Sequence, residues 1–411
     1  MRARSTAGPT AITGIGCLSG FGSGVTPFED GIFDGRTTID RISSFDTSER
    51  RAHVAGTLAP VDVGAFIAPT RLRRIDRIGR LAVVACHLAL ADAGLGDQAT
   101  RPGRVGVALG SSTAGLHSIV GYLDAINANG PAGASAMDFS NTVGNAAASL
   151  CAIECGLHGP NATIYYKEAS ALAAVDYAIT LSTGEPATIV TGGVEDFDAV
   201  HFAIHDSFGV FAHDAGHGEM SRPFGQHRNG FVAGSGAFLL VLEDEEAALQ
   251  RGASVRGHIA GLGATSAVCG VNKWPTDPGD LISCMRQALD SAGLQPRDVG
   301  VVFAAANSTQ DLDRTEARAL ADVFGARGVP VVALKGALGE YGAVGAAGIV
   351  AATAAFRRGI VPPTLGAEDL DPDCEVDLTA VGGSTRALAR PVALVNSVAS
   401  GGANFSVVVT A

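Results

Sequence analysis

The chain repeats itself, and this duplication limits the folds open to it more than any other feature. Residues 88–113 match residues 287–309: each has a helix ending in Ala-Gly-Leu, a short turn with Pro and Arg, an apolar strand and a turn of small residues. Residues 171–190 and 345–363 match in the same way, as a helix, a glycine and a strand. Two matches in the same order predict an α/β chain built from two related halves.

We place the boundary between the halves near residues 251–254, after an apolar strand and a short helix. This gives an N-terminal half of residues 1–253 and a C-terminal half of residues 254–411. With 411 residues, the chain is also too long for one simple core. In the N-terminal half, the apolar periodicity predicts a strand at 9–15 and helices at 28–35, 74–93 and 115–128.

Composition excludes several classes of function. The apolar fraction is 47%, yet no apolar run approaches the roughly 18 residues of a membrane-spanning helix. The first residues read as a turn and a strand rather than a signal peptide, so we expect a cytoplasmic protein. The net charge of −12, with no basic cluster beyond Arg71–Arg80, argues against nucleic acid and against an anionic membrane surface.

The metal-ligating residue types do not form a recognisable site. The seven cysteines are odd in number, scattered and never spaced as CxxC, which predicts reduced, mostly buried thiols rather than disulfides or a zinc site. His201 with His205, and His213 with His217, have helix-like spacing, but the second pair lies in a Gly-rich loop and no carboxylate supports either pair. We therefore expect neither a metal nor a cofactor.

The stretch Gly159–Ala178 predicts a strand at 162–166, a tight turn and a helix at 171–180. Glu168 lies at the turn, where unpaired N–H groups and the helix macrodipole favour negative charge. Two interpretations are open at this point. Glu168 is either a favourable residue for a helix start or it occupies the place of an enzyme's nucleophile.

A second stretch, residues 115–128, carries apolar side chains at i, i+3 and i+4 spacing. They are Leu116, Ile119, Tyr122, Leu123 and Ile126. Such a stripe is typical of ordinary core packing, and the alternative is a wall of a ligand cavity.

The ordered motifs of the whole chain resemble those of the β-ketoacyl synthase family of the thiolase superfamily. They are AITGIG, RRIDRIGRLAVVACHLALADAGL, GPNATI, VTGGVEDF, RPFGQHRNGFVAGSGAFLLVLE, KGALGEYGAVGAAG, GIVPPT and LVNSVASGGANFS. The resemblance runs from about residue 9 to residue 410 and implies the duplicated thiolase fold, with five layers α-β-α-β-α, usually as a dimer. This agrees with the internal repeat.

The catalytic residues of that family are replaced in this chain. The family uses a cysteine thiolate at a helix N-terminus, in GPxxTxxxxCASG, and that place is Glu168. Two histidines stabilise the enolate. Counting through HGTxTxxxDxxE puts the first at Ala305, or at Asn307 with a two-residue slip. In KxxxGH, Lys335 is retained and Glu340 replaces the histidine.

The loss of imidazole does not depend on gap placement. All ten histidines lie at or before His258, so residues 259–411 contain none. A chain that keeps the motifs of the family but lacks its catalytic residues resembles the chain-length factor, the catalytically silent partner of the ketosynthase in type II polyketide synthases. Residues 312–325, LDRTEARALADVFG, fit that class well. Glu168 departs from the Gln common there, which argues against the aromatic type and is compatible with a reduced or polyene branch.

The resemblance also implies partners. A heterodimer would form with an active ketosynthase, whose strand pairs with the interface residues Ala162, Thr163, Ile164, Tyr165 and Tyr166. An acyl carrier protein would bring the growing chain, mainly through the partner. The helix at 115–128 would line or close the tunnel that sets chain length, with Ile119, Tyr122, Leu123 and Ile126 as gate residues.

Glu168 and Glu340 are expected to converge in a structural, non-catalytic pocket, with Lys335 and Lys167 as candidate cations. Val398 and Ser400 stand where condensing enzymes usually carry the two phenylalanines of a GFGG-type gate. A competing hypothesis is a stand-alone acyltransferase or hydrolase that uses Glu168 as a general base. A decarboxylase that generates starter units is disfavoured, because no imidazole is available to stabilise the enolate.

Overall fold

The computed structural model describes residues 10–98, 101, 103–182, 187–378 and 384–411. Residue 9 of the predicted first strand, the initial residues of the N-terminal half and parts of the repeated turns (99, 100, 102 and 183–186) lie outside the described residues.

The helices are α1 (Val25–Phe33), α2 (Pro69–Leu72), α3 (Arg77–Asp92), α4 (Leu116–Asn129), α5 (Ala136–Phe139), α6 (Ala146–Cys155), α7 (Ser170–Leu181), α8 (Ala199–Ser207), α9 (Glu245–Gln250), α10 (Gly279–Ala292), α11 (Gln310–Phe324), α12 (Lys335–Leu338) and α13 (Val344–Arg358). The strands are β1 (Thr10–Ser19), β2 (Gly22–Ser23), β3 (Ile39–Arg41), β4 (Val54–Gly56), β5 (Val105–Gly110), β6 (Asn161–Ile164), β7 (Thr188–Glu195), β8 (Gly236–Asp244), β9 (Gly257–Ser266), β10 (Val301–Phe303), β11 (Pro330–Val332), β12 (Ile360–Val361), β13 (Asp377–Leu378), β14 (Arg386–Ala387), β15 (Val392–Val398) and β16 (Ala403–Thr410).

The duplication is visible in the strand order. Within the described residues, one mixed sheet of twelve strands has the order β13-β11-β10-β15-β16-β9-β1-β8-β7-β5-β6, with β2 paired to β1. Outward from the central β1–β9 pair, each half shows two antiparallel pairings followed by two parallel ones, and the C-terminal half adds a third parallel pairing, between β11 and β13. The two halves therefore share one topology, while the boundary at residues 253 and 254 stays a prediction.

Helices and sheet halves alternate in five layers. Helices α3 and α6 cover one outer face and α10 and α11 the other, each over its own apolar core. Between the sheet halves lie α7 and α13, whose side chains share the central core. Residues Val344–Ala355 of α13 are all buried, as expected for a helix that is apolar on every side. The predicted α/β layer architecture is thus the observed one.

Several element ends differ from the predictions for identifiable reasons. Helix α3 begins at Arg77 rather than residue 74, because Asp76 caps it: the Asp76 carboxylate accepts a hydrogen bond from Gly79 N at 2.9 Å. Strand β1 continues to Ser19, beyond the predicted residue 15, and α1 begins at Val25 rather than 28. Helices α4 and α7 lie within one residue of their predicted ends.

Strand β6 ends at Ile164, so Tyr165 and Tyr166 do not belong to it, contrary to the predicted strand. The chain turns here because Tyr166 N donates to Ser170 Oγ at 2.9 Å, at the start of α7. Lys167 then adopts a positive φ of 48°. The local contact with Ser170 prevails over the β propensity of the two tyrosines.

None of the helices in the described parts of the chain has both the length and the apolar character needed to span a bilayer. The cysteines are free, as predicted, and all are buried except Cys269, which is partly exposed.

Candidate functional site

Glu168 lies on a single 3-10 turn, Lys167–Ala169, between β6 and α7. The side chain is partly buried. Its Oε2 accepts a hydrogen bond from Ser400 N at 2.9 Å, and its Oε1 accepts one from Ser400 Oγ at 3.0 Å. The carboxylate of the N-terminal half is therefore held by the loop that joins β15 to β16 in the C-terminal half.

Glu340 lies between α12 and α13 and is only 5% exposed. Its Oε2 accepts hydrogen bonds from Lys335 Nζ at 2.6 Å and from Asn307 Nδ2 at 2.8 Å. Its Oε1 has no hydrogen-bond partner among the described residues. Burial raises the pKa of Glu340 to about 7; Lys335 and Asn307 oppose this rise, and the charge of Glu168 adds to it.

The two helix starts meet at the centre of the molecule. Ala171 N, in the first turn of α7, donates to Gly342 O at 3.0 Å, just before α13. Gly342 is required there, because a Cβ would lie 2.6 Å from a carboxylate oxygen of Glu195. The fold thus brings Glu168 and Glu340 close enough for the charge of one to shift the pKa of the other.

The turn after β10 carries the two candidate histidine positions. Ala305 contributes only its backbone: its carbonyl accepts from Lys335 Nζ at 2.6 Å, and its N–H donates to Glu316 Oε1 at 2.9 Å. The side chain that reaches Glu340 is that of Asn307. Asp313 accepts from Asn307 N at 2.9 Å, so the acidic residues of α11 fix the shape of the turn.

Lys167 is not a cation for either glutamate, contrary to the prediction. Its Nζ donates instead to Asn272 Oδ1 at 2.6 Å and to Ser400 Oγ at 3.3 Å. Lys167 combines a positive φ with a side chain that is hydrogen-bonded to the loop around Asn272. The lysine–carboxylate contact of the pocket is therefore that of Lys335 with Glu340, whereas Glu168 is bound by Ser400.

Two groups of residues were missed by sequence reasoning. Ser400 was treated only as a lost gate residue, although a serine in a Gly-rich turn has donors that a nearby carboxylate can accept. Glu195, at the end of β7, is buried and accepts hydrogen bonds from Ser112 N at 2.7 Å and Thr113 N at 3.0 Å. An acidic residue soon after the Gly-Gly pair of β7 is the sequence signal that could have identified Glu195.

The arrangement has limited chemical capacity. Glu168 is hydrogen-bonded to Ser397 and Ser400, and Glu340 is hydrogen-bonded to Lys335 and Asn307. Neither set contains a thiol or an imidazole, the groups that covalent thioester chemistry and histidine-stabilised enolate formation use. Carboxylates can act as general bases, but both oxygens of Glu168 already accept hydrogen bonds.

The predicted tunnel residues are not core residues of this chain. No residue of α4 is buried; Ile119 is 37% and Leu123 is 52% exposed. Tyr122 and Ile126 are partly exposed, and the Tyr122 ring packs on Phe139 with 5.8 Å between centroids. The interface residues Ala162, Thr163 and Ile164 are also partly exposed. The ordinary-core interpretation of the stripe on α4 is therefore wrong for the chain alone.

Two family models match most of the chain. The Beta-ketoacyl synthase, N-terminal domain, matches residues 7–248, and the Beta-ketoacyl synthase, C-terminal domain, matches residues 256–368. The chain belongs to the β-ketoacyl synthase family. Its fold is the thiolase-like fold of the ketosynthases, as the sequence predicted.

Curated relatives include 3-oxoacyl-[acyl-carrier-protein] synthases and ketoacyl synthases of polyketide synthases. The chain is 30% identical to 3-oxoacyl-[acyl-carrier-protein] synthase 2 of Synechocystis sp., over 96% of each chain. It is 31% identical to the tetracenomycin polyketide synthase ketoacyl synthase alpha subunit of Streptomyces glaucescens, over 89% of each chain.

Among solved structures, the ishigamide ketosynthase/chain length factor is 28% identical, with a TM-score of 0.89, covering 98% of this chain and 99% of that one. A type II polyketide synthase ketosynthase in complex with its acyl-carrier protein is 23% identical, with a TM-score of 0.88, covering 99% of this chain and 100% of that one, and shows the shared fold alone.

Proposed function

We propose that this chain is a catalytically silent chain-length factor. It pairs with an active ketosynthase in a type II polyketide synthase and shapes the tunnel that limits chain length. A carrier protein delivers the growing chain, mainly to the partner, and the complex acts in the cytoplasm. The Glu168 departure from Gln fits a system that makes reduced or polyene chains. The similarity to the ishigamide ketosynthase/chain length factor supports a place in the class of ketosynthases and chain-length factors.

One observation carries the proposal: the position of the nucleophile holds Glu168, whose two carboxylate oxygens are both bound by Ser400. At the second histidine position, Glu340 is paired with Lys335 inside the protein. A chain that keeps the ketosynthase fold but fills its reaction centre with hydrogen-bonded carboxylates needs a partner to supply the chemistry.

The edge of the sheet supports pairing with a second subunit. In the C-terminal half, β13 pairs with β11. The strand of the N-terminal half that is equivalent to β11 is β6, and it has only β5 as a neighbour among the described residues. An unpaired edge invites pairing with another chain. We therefore propose that β6 continues into the sheet of the ketosynthase.

Exposed apolar side chains lie next to that edge, on the residues after β6 and on the helices that pack beside it. We call them the edge surface; they are Ile153, Tyr165, Tyr166 and Tyr177, each between 41% and 59% exposed. Ile153 and Tyr177 lie on α6 and α7, the two helices that pack beside β6. Contiguous exposed apolar residues mark interaction sites. We propose that the heterodimer buries them and that α4 limits the tunnel of the complex.

The hydrogen-bonding register of β6 defines a test. Val107 N donates to Pro160 O and Ser111 N donates to Ile164 O. Because strand residues alternate in direction, Thr163 directs its backbone N–H away from β5. We expect Thr163→Pro to remove this donor at the open edge and to lower co-purification with a co-expressed ketosynthase at least about 10-fold.

Thr163→Val is the matched control, since it keeps the N–H and a side chain of the same shape. It should co-purify like the unchanged chain. Equal recovery of the ketosynthase with Thr163→Pro and Thr163→Val would contradict pairing through β6. A chain that is fully active on acyl thioesters without any ketosynthase would contradict the silent role itself.

A further inference from the structure

The turn that carries Glu168 is bonded to two separate loops of the C-terminal half. The first is the loop that contains Ser400: Glu168 Oε2 accepts from Ser400 N at 2.9 Å, and Glu168 Oε1 accepts from Ser400 Oγ at 3.0 Å. Ser397, near the end of strand β15, donates from its Oγ to Glu168 O at 3.1 Å. The backbone carbonyl and the side-chain carboxylate of Glu168 therefore both accept hydrogen bonds from the C-terminal half.

The second loop is the segment 267–273. Lys167 Nζ donates to Asn272 Oδ1 at 2.6 Å. Lys167 has a positive φ of 48°, a conformation that is uncommon for a residue with a long side chain. Such a backbone persists only when its surroundings hold it in place. The hydrogen bonds of Lys167 to Asn272 and of Glu168 to Ser400 hold this backbone in place from two sides.

The two loops are also bonded to each other. Gly401 N donates to Lys273 O at 2.9 Å, and Ala267 N donates to Gly402 O at 2.8 Å. Gly401 and Gly402 have φ values of 106° and 104°, so both residues take conformations that a side chain would disfavour. The pair of loops is therefore one unit, attached to the Lys167–Ala169 turn by Glu168 and Lys167.

We propose that the Glu168 carboxylate acts as a clasp that holds the Ser400 loop over the vacated nucleophile position and closes this chain's own pocket to acyl thioesters. The hydrogen bonds of the clasp are those that Glu168 accepts from Ser397 and Ser400. An acyl chain can pass between the turn and the loop only if the hydrogen bonds of the clasp break. Glu168 is thus a positioning residue, and its role deepens the proposed function, on which the consequence for acyl chains rests.

Hydrogen exchange of the full-length chain tests the clasp directly, because the Ser400 amide is one of its donors. Glu168→Ala should accelerate exchange of the peptide that covers residues 398–403 at least about 10-fold. Ser400→Ala should give a smaller increase, since it keeps the backbone N–H bond and loses only the hydroxyl. Asp322→Asn, in the exposed pair with Arg286, is the control and should leave this peptide unchanged.

Binding of octanoyl-N-acetylcysteamine, followed by saturation-transfer NMR, tests closure. We expect Glu168→Ala to bind this thioester at least about 10-fold more tightly than the unchanged chain. Unchanged exchange at 398–403, or an equal increase along the whole chain, would overturn the clasp. Equal thioester affinity in both proteins would overturn closure. Neither result depends on co-purification with a ketosynthase, so failure of the proposed function would be recognised separately.

Discussion

Lys335 and Glu340 form a buried ion pair: Lys335 Nζ lies 2.6 Å from Glu340 Oε2, and the two side chains are 4% and 2% exposed. The lysine also donates to Ala305 O, and the glutamate also accepts from Asn307. A pair of this kind offsets the cost of taking two charges out of water only while both partners are present.

Glu340→Ala should therefore destabilise the fold by about 3–5 kcal/mol, because it leaves the ammonium of Lys335 buried without its counter-charge. The double variant Lys335→Met with Glu340→Leu should recover most of that loss, since no charge remains. Unfolding in urea at about pH 8.5, where Glu340 is ionised, read by circular dichroism, measures both. Asp322→Ala, which breaks the exposed pair with Arg286, should cost less than about 1 kcal/mol. A double variant as unstable as Glu340→Ala would argue against the ion-pair account.

Stability should depend on pH through Glu340. Burial raises the pKa of Glu340 from 4.5 to about 7, so between these values the folded chain holds a proton that the unfolded chain has released. The stability from this group is fully present below about pH 4.5 and is lost as the pH rises through about 7, by at most about 3 kcal/mol.

Glu340→Gln cannot ionise and should remove this contribution to the slope. The measurement is the free energy of unfolding at pH 5 and pH 7.5 for both proteins. Asp313, whose pKa burial also raises to about 7, contributes to both proteins and cancels in the difference. An identical pH dependence with and without Glu340 would show that its pKa is the same in both states.

Glu168→Cys should not restore condensation. The substitution returns a thiol to the helix start, but Ala305, Asn307 and Glu340 supply no imidazole to stabilise an enolate. We expect alkylation of the new thiol by iodoacetamide, seen by peptide mass, and no release of CO₂ from a malonyl thioester above background. CO₂ release by the unchanged chain that Glu168→Gln abolishes would instead support an enzyme that uses Glu168.

Product length should respond to the exposed face of α4. In the complex with a ketosynthase, Tyr122→Ala or Leu123→Ala should lengthen the product by one or more units, because each removes bulk from the proposed tunnel end. The mass of the extracted product gives the answer. Asp124→Ala on the same helix is the control and should leave the length unchanged. Unchanged products from both tyrosine and leucine variants would remove the tunnel assignment.

The fold was predictable because the duplication and the apolar periodicity can be read from the sequence, and because α13 is apolar on every side. The place of Glu168 was predictable for the same reason, since it depends on a strand followed by a helix. The hydrogen-bond partner of Glu168 was not predictable. Ser400 is 232 residues away, and the choice between Ser400 and a lysine depends on side-chain directions that spacing does not encode. The strand prediction was wrong at Tyr165 and Tyr166, because a local hydrogen bond to Ser170 prevails over their β propensity.

The meeting of α7 and α13, where Ala171 N donates to Gly342 O, has an electrostatic consequence. Each helix directs a partial positive charge of about half a unit from its N-terminus into the same interior. Without a thiolate, such an interior lacks a counterion. Glu168 supplies a negative group of similar size that resists acylation and alkylation. A substitution that removes reactivity can in this way preserve the charge balance on which the packing of the two central helices depends.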